Sequence, residues 1–362
     1  MDLLIKNAKH VDGSLFDIGI KDGKIVDPES SEPARLLNLK GESYVSAGWI
    51  DSHVHCYENM ELYTDYPDEI GIKCGVTTIV DAGSSGCANI GDFHRLATVA
   101  KTNVYAFMNI SQYGIVAQNE LSNLANIRVE AARETVAQYP DFIVGFKARM
   151  SKTVVGENGI KPLHLAKEIQ QGTNRPLMVH IGSEPPTLAE IVDVMEAGDI
   201  MTHCFNGKPN GVRSESGIKA TAKDAYDKGI VFDIGHGTDS FNFEVAEMAL
   251  KEGMKAQLIS TDIYIRNRLN GPVFDLATTM EKLLAIGYSF EEVIEKVTIE
   301  PAKALNFPKK GRLEVGADAD LTIFKVVTGE KRLVDSNQNE RLGTVQIVPE
   351  MAMVGGELHE CG

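Results

Sequence analysis

Two histidines, His53 and His55, follow an apolar run at residues 44–50 and are separated by a single residue. Side chains alternate along a β-strand, so both imidazoles would point to the same face of a strand end. Imidazole is a common ligand for zinc and similar metals. A lone His-x-His pair is a weak indication, because most such pairs lie on the surface. Whether this pair binds a metal depends on whether other residues that can bind a metal lie near it in the folded chain.

The middle of the chain, residues 49–308, alternates short apolar runs with amphipathic segments whose apolar residues recur every three or four positions. Repeated units of this kind predict a parallel sheet covered by helices, and eight of them predict a (β/α)8 TIM barrel. The alternative is an open doubly wound sheet, but no Gly-x-Gly-x-x-Gly follows the first strand. The predicted strands are residues 46–52, 76–81, 103–110, 143–147, 177–180, 200–203, 230–234 and 257–262.

Both ends of the chain have the pattern of short strands joined by turns, such as the Asp22-Gly23 turn after residues 16–20. Neither end is long enough to form a good core alone. We therefore predict a small β domain formed by residues 1–48 plus 309–362, beside a barrel of residues 49–308. The polar run at residues 335–340 predicts a surface loop.

Active sites of such barrels lie at the carboxyl ends of the strands. Four of the nine histidines end predicted strands, together with one lysine and one aspartate, and this concentration predicts a metal site. A lysine ammonium has no lone pair, so an unmodified lysine would instead pair with the aspartate or with an anionic substrate. The six residues are His53, His55, Lys147, His180, His203 and Asp262.

These six residues, in this order and on these strands, resemble the ligand set of the binuclear metal-dependent amidohydrolase superfamily, and the resemblance covers nearly the whole chain. It implies that Lys147 carries a carbamate (N6-carboxylysine) that bridges two divalent cations. One cation would be held by the first two histidines and Asp262, and the other by His180 and His203. Zn²⁺ is the expected metal, although such ligand sets also accept manganese, cobalt or iron.

The resemblance further implies hydrolysis of an amide or ester by a metal-bridging hydroxide, with Asp262 as general acid and base. Residues 145–151 and 202–207 are most similar to a bacterial deacetylase branch that is often mislabelled dihydroorotase or adenine deaminase. This implies removal of an acetyl group from a small 2-acetoxy or N-acetylamino carboxylate. The alternatives are a cyclic amidohydrolase, disfavoured because Tyr57 stands where dihydroorotases carry an arginine, and an adenine deaminase, whose His-x-Glu-Ser-like context is absent.

Three residues near the predicted mouth are candidates for substrate binding. Arg149 lies two positions after the strand-four lysine and would suit a carboxylate. Asn206 could donate a hydrogen bond, although a turn is the simpler explanation, and His236 lies between two glycines that predict a tight loop exposing its ring. Arg266 and Arg268 follow Asp262 and are expected on the surface of a loop, with anion binding as the less favoured alternative. Tyr113, beyond the third strand, is undecided between the two.

The formal net charge of −15 argues against nucleic-acid binding and leaves a small anionic molecule as the expected partner. No apolar stretch approaches membrane-spanning length, and the N-terminus lacks the build of a signal peptide. Five cysteines without a CxxC pair indicate reduced thiols and a cytoplasmic protein, with Cys56 and Cys204 buried as small apolar side chains. Barrels of this size often self-associate through their helices, so the sequence is compatible with a homo-oligomer as well as with a monomer.

Overall fold

The computed structural model describes residues 1–362, which form 15 strands and 12 α-helices. The strands are β1 (Leu3–Lys9), β2 (Leu15–Lys21), β3 (Lys24–Val26), β4 (Arg35–Asn38), β5 (Tyr44–Ala47), β6 (Trp49–Val54), β7 (Val76–Gly86), β8 (Asn103–Asn109), β9 (Ile143–Met150), β10 (Leu177–Ile181), β11 (Ile200–Thr202), β12 (Val231–Asp233), β13 (Leu321–Val334), β14 (Glu340–Val354) and β15 (Glu357–Glu360). The helices are α1 (Pro67–Ile70), α2 (Ile90–Ala97), α3 (Val129–Gln138), α4 (Lys152–Val155), α5 (Lys161–Gln170), α6 (Leu188–Val194), α7 (Ala220–Asp227), α8 (Phe243–Lys251), α9 (Ile265–Asn270), α10 (Leu276–Ala285), α11 (Phe290–Glu295) and α12 (Ile299–Ala304).

The strands β6 to β12 form one parallel sheet in which each strand pairs with the next along the chain. Every residue of β6, β7 and β9 is buried. Side chains fill the inside of a barrel while helices cover its outside, which explains why these strands have nearly continuous apolar runs instead of alternating ones.

Residues 257–263 occupy the eighth position of the barrel and close the ring. Single parallel bridges join Leu258 to Asp233 at the end of β12, and Ile263 to Val54 at the end of β6. The sheet thus continues from its last strand through this segment to its first strand. The predicted fold class, a (β/α)8 barrel with a small β sheet formed from both termini, is confirmed.

The prediction of a regular eighth strand at residues 257–262 is wrong. Asp262 leaves extended geometry, with a φ of 51°, and the segment forms only isolated bridges to its neighbours. Backbone hydrogen bonds still join it to β12, from the Leu258 amide to the Phe232 carbonyl and from the Ile234 amide to the Leu258 carbonyl. The buried carboxylate of Asp51 adds to these bonds, because it accepts hydrogen bonds from the Thr261 amide at 3.1 Å and from its hydroxyl at 2.6 Å.

The outer helices have the sequence features of amphipathic, capped helices. In α5 the buried side chains include Leu163, Ala166 and Ile169, which follow the three-residue spacing of one helix face. The helices α6 and α11 begin with capping boxes at Thr187 and Ser289, which satisfy amides that have no partner within the helix. All the helices are too short or too polar to cross a bilayer.

The terminal segments form a separate sheet in the order β15-β14-β13-β5-β1-β2-β3, with β4 pairing alongside β1. Its long hairpin, β13 and β14, pairs through Leu321 and Met353 at one end and through Val334 and Glu340 at the other. A small apolar cluster of its own includes Ile5 and residues from both ends of the chain. The domain boundaries at residues 48 and 309 stay a prediction.

The polar loop between β13 and β14 is not simply a surface loop, as its composition predicts. Asp335 is fully buried and accepts hydrogen bonds from the amides of Phe243, Asn337 and Asn339, each at 2.8 Å. The sequence suggested exposure because every residue of the loop is polar, but four donors on one carboxylate satisfy it inside the protein. The loop thereby attaches the terminal sheet to the start of α8.

Candidate metal centre

A cavity of about 710 Å³ lies where the barrel strands end, and only 5 of its 23 lining residues are hydrophobic. Such a polar lining suits a polar or charged ligand better than an apolar one. All six residues that the sequence indicates as metal ligands line this cavity: His53, His55, Lys147, His180, His203 and Asp262.

The ligating atoms of these residues lie close together. The His53 Nε2 is 3.1 Å from the Lys147 Nζ and 3.4 Å from the Asp262 Oδ1, which is itself 3.1 Å from the His55 Nε2. One atom each of His53, His203 and Asp262 fall within 4.8 Å of one another. Nitrogen and carboxylate oxygen donors gathered at this spacing are the kind of set that binds zinc and related divalent cations.

Each histidine uses its second ring nitrogen to hold its orientation. The His203 Nδ1 donates to the Gly235 carbonyl at 2.6 Å, and because a carbonyl can only accept, the Nε2 lone pair is left free. The His53 Nδ1 is 2.8 Å from the Thr202 hydroxyl and 3.6 Å from the Asp233 Oδ2, an oxygen with no other partner. Such outer contacts fix the tautomer of a metal-binding imidazole and raise its basicity.

The other two histidines are held by serine hydroxyls. The His55 Nδ1 is 2.9 Å from the Ser84 Oγ, and the Ser84 amide donates to Asp81 at 2.7 Å. The His180 Nε2 is 3.0 Å from the Ser151 Oγ. These contacts leave Nε2 of His55 and Nδ1 of His180 for a metal, so the cluster is oriented by β7 and by the residue that follows β9, as well as by the strands that carry the ligands.

Burial sets the protonation of the cluster. It lowers the pKa of His53 and of His180 well below the usual value, and the pKa of His203 to about 3. Burial also lowers the pKa of Lys147 to about 7, against the opposing charges of Asp262 and Asp233. These three imidazoles are therefore neutral near pH 7, with lone pairs available, and a large share of the lysine is a neutral amine.

Asp262 remains ionised. Burial alone would raise its pKa, but the neighbouring ring nitrogens of His53, His55 and His203 favour the carboxylate more strongly and lower the pKa. Its backbone carbonyl accepts a hydrogen bond from the Asn267 side chain at 2.9 Å, which anchors the turn that it begins. At neutral pH this residue can accept a proton or bind a cation.

Two site residues have strained backbones, and two glycines make room for them. His203 and Asp262 have φ values of 62° and 51°, a region that residues other than glycine rarely adopt and that often occurs at functional sites. A Cβ at Gly235 would lie 2.2 Å from the Thr202 Oγ1, and a Cβ at Gly237 would lie 2.4 Å from the Asp262 Oδ2. Side chains at either glycine would therefore displace the cluster.

The glycines beside His236 do not expose its ring, as the sequence suggested. His236 is fully buried, with its Nε2 2.9 Å from the Lys282 Nζ and its Nδ1 bonded to the Gly237 carbonyl, and it does not line the cavity. Asn206 is likewise fully buried and outside the cavity lining, with both ends of its carboxamide bonded to the backbone. The structure brings neither predicted substrate contact into the cavity.

Arg149 does line the cavity, but its guanidinium is already paired. Its Nε and Nη2 donate to the two oxygens of the buried Glu120 at 2.7 and 2.8 Å. Arg266 lines the cavity and is exposed, whereas Arg268 forms a bidentate pair with Asp65. Tyr113 is largely exposed and does not line the cavity, and Cys56 and Cys204 are buried free thiols, as predicted.

The residues that orient the ligands were not predicted from the sequence, and neither was Lys208 at the mouth of the cavity. Thr202 and Asp233 end β11 and β12, and Ser84 lies near the end of β7. A search of every strand end for hydroxyls and carboxylates, in addition to histidines, could have found them. Lys208 carries no such signal, because it lies in a loop after β11.

Comparisons with known proteins agree with this geometry. A family model described as a Deacetylase-like composite domain matches residues 313–360, within the terminal sheet. A protein of Enterococcus faecalis named Deacetylase is 56% identical over 365 residues, which covers 99% of each chain.

Two solved structures extend the likeness to three dimensions. One is described as an adenine deaminase, with 56% identity, a TM-score of 0.98 and 99% of both chains covered. The other is described as a dihydroorotase, with 35% identity, a TM-score of 0.91 and coverage of 99% of this chain and 98% of the other. The names differ, although all three proteins match the present chain over nearly its whole length. On this likeness the chain belongs to the deacetylase family of the amidohydrolase superfamily.

Proposed function

We propose that this protein is a metal-dependent deacetylase that removes an acetyl group from a small 2-acetoxy or N-acetylamino carboxylate. The observation that carries the proposal is the convergence of four histidines, an ionised aspartate and a lysine in one polar cavity. A relative of 56% identity that is named Deacetylase supports the same reaction. The five free cysteines are consistent with a reducing compartment such as the cytoplasm.

The donor set fits two divalent cations, with zinc as the expected metal. The imidazoles of His53 and His55, together with Asp262, would hold one cation, and those of His180 and His203 the other. Neutral imidazoles keep the lone pairs that ligation needs. When bound, such cations lower the pKa of a water molecule and polarise the carbonyl that is attacked.

Lys147 fits this set once it is carboxylated. A carbamate forms when a neutral amine attacks carbon dioxide and one proton is released, and burial already lowers the pKa of this amine to about 7. The product is an anion with two oxygens, whereas an ammonium 3.1 Å from the His53 Nε2 would repel a cation. We therefore propose N6-carboxylysine at this position as the bridge between the two metals.

Asp262 is the proposed general acid and base. It is ionised at neutral pH, and its carboxylate lies within 3.5 Å of two histidine nitrogens inside the cavity. It would accept a proton from the attacking water and deliver that proton to the oxygen or nitrogen that leaves. The acetyl carbon gains a bond to the water oxygen and loses its bond to this leaving atom, giving acetate and a free hydroxy or amino acid.

Two other reactions are possible on this scaffold, namely hydrolysis of a cyclic amide and deamination of adenine. Relatives of this chain are described as a dihydroorotase and as an adenine deaminase. Tyr57 takes the position of the dihydroorotase arginine, and its hydroxyl bonds to Asp92 at 2.9 Å, outside the cavity lining. This contact disfavours the cyclic substrate.

A parallel assay separates these functions. We expect the zinc-loaded protein to release acetate from N-acetyl amino acids or acetylated 2-hydroxy acids, and to leave dihydroorotate and adenine unchanged. Turnover of only the latter two compounds would contradict the proposal.

Replacing Asp262 tests the proton transfer. Asp262→Asn keeps an oxygen that can bind metal but cannot accept a proton, so kcat should fall by roughly 10²- to 10⁴-fold while bound metal is retained. The matched control is Asp239→Asn, an exposed carboxylate that lines the same cavity, which should stay close to wild type. Steady-state acetate release and elemental analysis measure both quantities. A near-normal rate for Asp262→Asn would refute the assigned role.

Removing a hydroxyl behind a histidine tests the metal site without touching a ligand. Thr202→Val removes the partner 2.8 Å from the His53 Nδ1, so metal affinity should fall about 10- to 100-fold. The control is Thr78→Val, a buried threonine of the same barrel whose hydroxyl has no partner. Competition with a chromogenic chelator measures the affinities. Equal affinity in both variants would show that the histidine needs no such support.

A further inference from the structure

Four cationic side chains line the cavity, and they differ in whether their charge is already compensated. Arg149 is paired in bidentate fashion with Glu120, and both are buried. Lys147 belongs to the ligand cluster. Lys208 is half-buried and has no carboxylate within 4.0 Å, and Arg266 is exposed and also unpaired. Lys208 is therefore the one cation of the lining that is both partly shielded from water and free to meet an anion.

The loop that carries Lys208 is firmly held. Asn206 donates from its Nδ2 to the His203 carbonyl at 2.8 Å and accepts from the Lys208 amide at 2.9 Å. A Cβ at Gly207 would lie only 2.6 Å from the Asn337 side-chain oxygen, so the turn packs closely against the loop between β13 and β14. Asn206 thus acts through Lys208 as a positioning residue, not as a contact to the substrate.

The charge balance of the cavity points away from Arg149 as the main anchor for an anion. A second carboxylate placed against this guanidinium would lie beside the Glu120 carboxylate and be repelled by it. The chain as a whole carries a net charge of −15, so its long-range field also disfavours anions. A small anionic substrate needs a local, uncompensated cation, and the Lys208 ammonium supplies one on the side of the cavity near His180.

We propose that Lys208 binds the carboxylate of the substrate and so selects acetylated acids over neutral acetyl compounds. This inference rests on the proposed deacetylase function and names the residue that sets its substrate class. The ammonium is a single positive charge, so it matches one carboxylate.

Matched substrate pairs test the assignment. Each pair consists of an acid and its primary amide, for example N-acetylalanine and N-acetylalaninamide, with 2-acetoxypropanoate and larger side chains as further pairs. In the wild-type, zinc-loaded protein, kcat/KM should favour the acids. In Lys208→Gln the acid-to-amide ratio should fall roughly 10- to 100-fold, because a charged hydrogen bond is lost, and Lys208→Arg should recover much of it.

Two further measurements separate a specific contact from general attraction. Arg266→Gln removes one positive charge from the same mouth, so a similar fall in its ratio would contradict a specific role for Lys208. The dissociation constant of the deacetylated acid, measured by calorimetry on zinc-loaded protein, should rise in Lys208→Gln together with KM. Zinc content should be equal in all variants, because none of these residues is a ligand.

The outcomes distinguish this inference from the function on which it rests. If no acetyl compound of either charge is turned over, the deacetylase function itself is wrong. If acids and amides are hydrolysed with the same kcat/KM, or if Lys208→Gln leaves the ratio unchanged, the function stands and the Lys208 assignment is overturned.

Discussion

Ionisable side chains are buried at one end of the barrel, and this burial determines both their protonation and the contacts around them. It makes the imidazoles of His53, His180 and His203 neutral, and each buried polar atom needs a partner. The protein meets this requirement with hydroxyls, a carbonyl and a carboxylate placed behind the rings, at Thr202, Ser84, Ser151, Gly235 and Asp233. The same burial lowers the pKa of Lys147, and glycines near the cluster keep side chains from filling its space.

Much of the fold and all six members of the cluster could be predicted from the sequence. The reason is that the carboxyl ends of all the strands of a parallel barrel meet at the same face, so residues at those ends lie close together. More than 200 positions separate His53 from Asp262 in the sequence. Nevertheless His53 and Lys147 lie near the carboxyl ends of their strands, and Asp262 lies near the end of the segment that takes the place of the eighth strand. The eighth strand could not be predicted correctly. Its apolar run is typical of a strand, but the positive φ of Asp262 and the hydrogen bonds that Asp51 accepts from Thr261 depend on contacts made only in the folded chain.

Side-chain pairing explains why the substrate contacts were harder to predict than the ligands. The side chains of Arg149 and His236 could bind a substrate, and both follow predicted strands in the sequence. In the folded protein, however, Arg149 pairs with Glu120, and His236 contacts Lys282. Neither partner has a sequence spacing that would reveal the pairing. The opposite holds for Lys208, whose sequence context is that of an ordinary loop lysine. It becomes a candidate for substrate binding only because the structure places it in the cavity lining with no carboxylate beside it. The metal ligands could be predicted because the topology of the barrel brings them together. The substrate contacts could not, because they depend on which charged side chains have no partner in the folded protein.

The central claim is that this cluster holds two metals bridged by a carboxylated lysine. The most direct test is metal content per chain on protein purified without added metal, together with intact mass measured under mild conditions. We expect about two zinc ions per chain and the added mass of one carbon dioxide, which Lys147→Ala should remove. One metal per chain with no added mass would contradict it, because Lys147 would then be a free amine and the bridge would not exist.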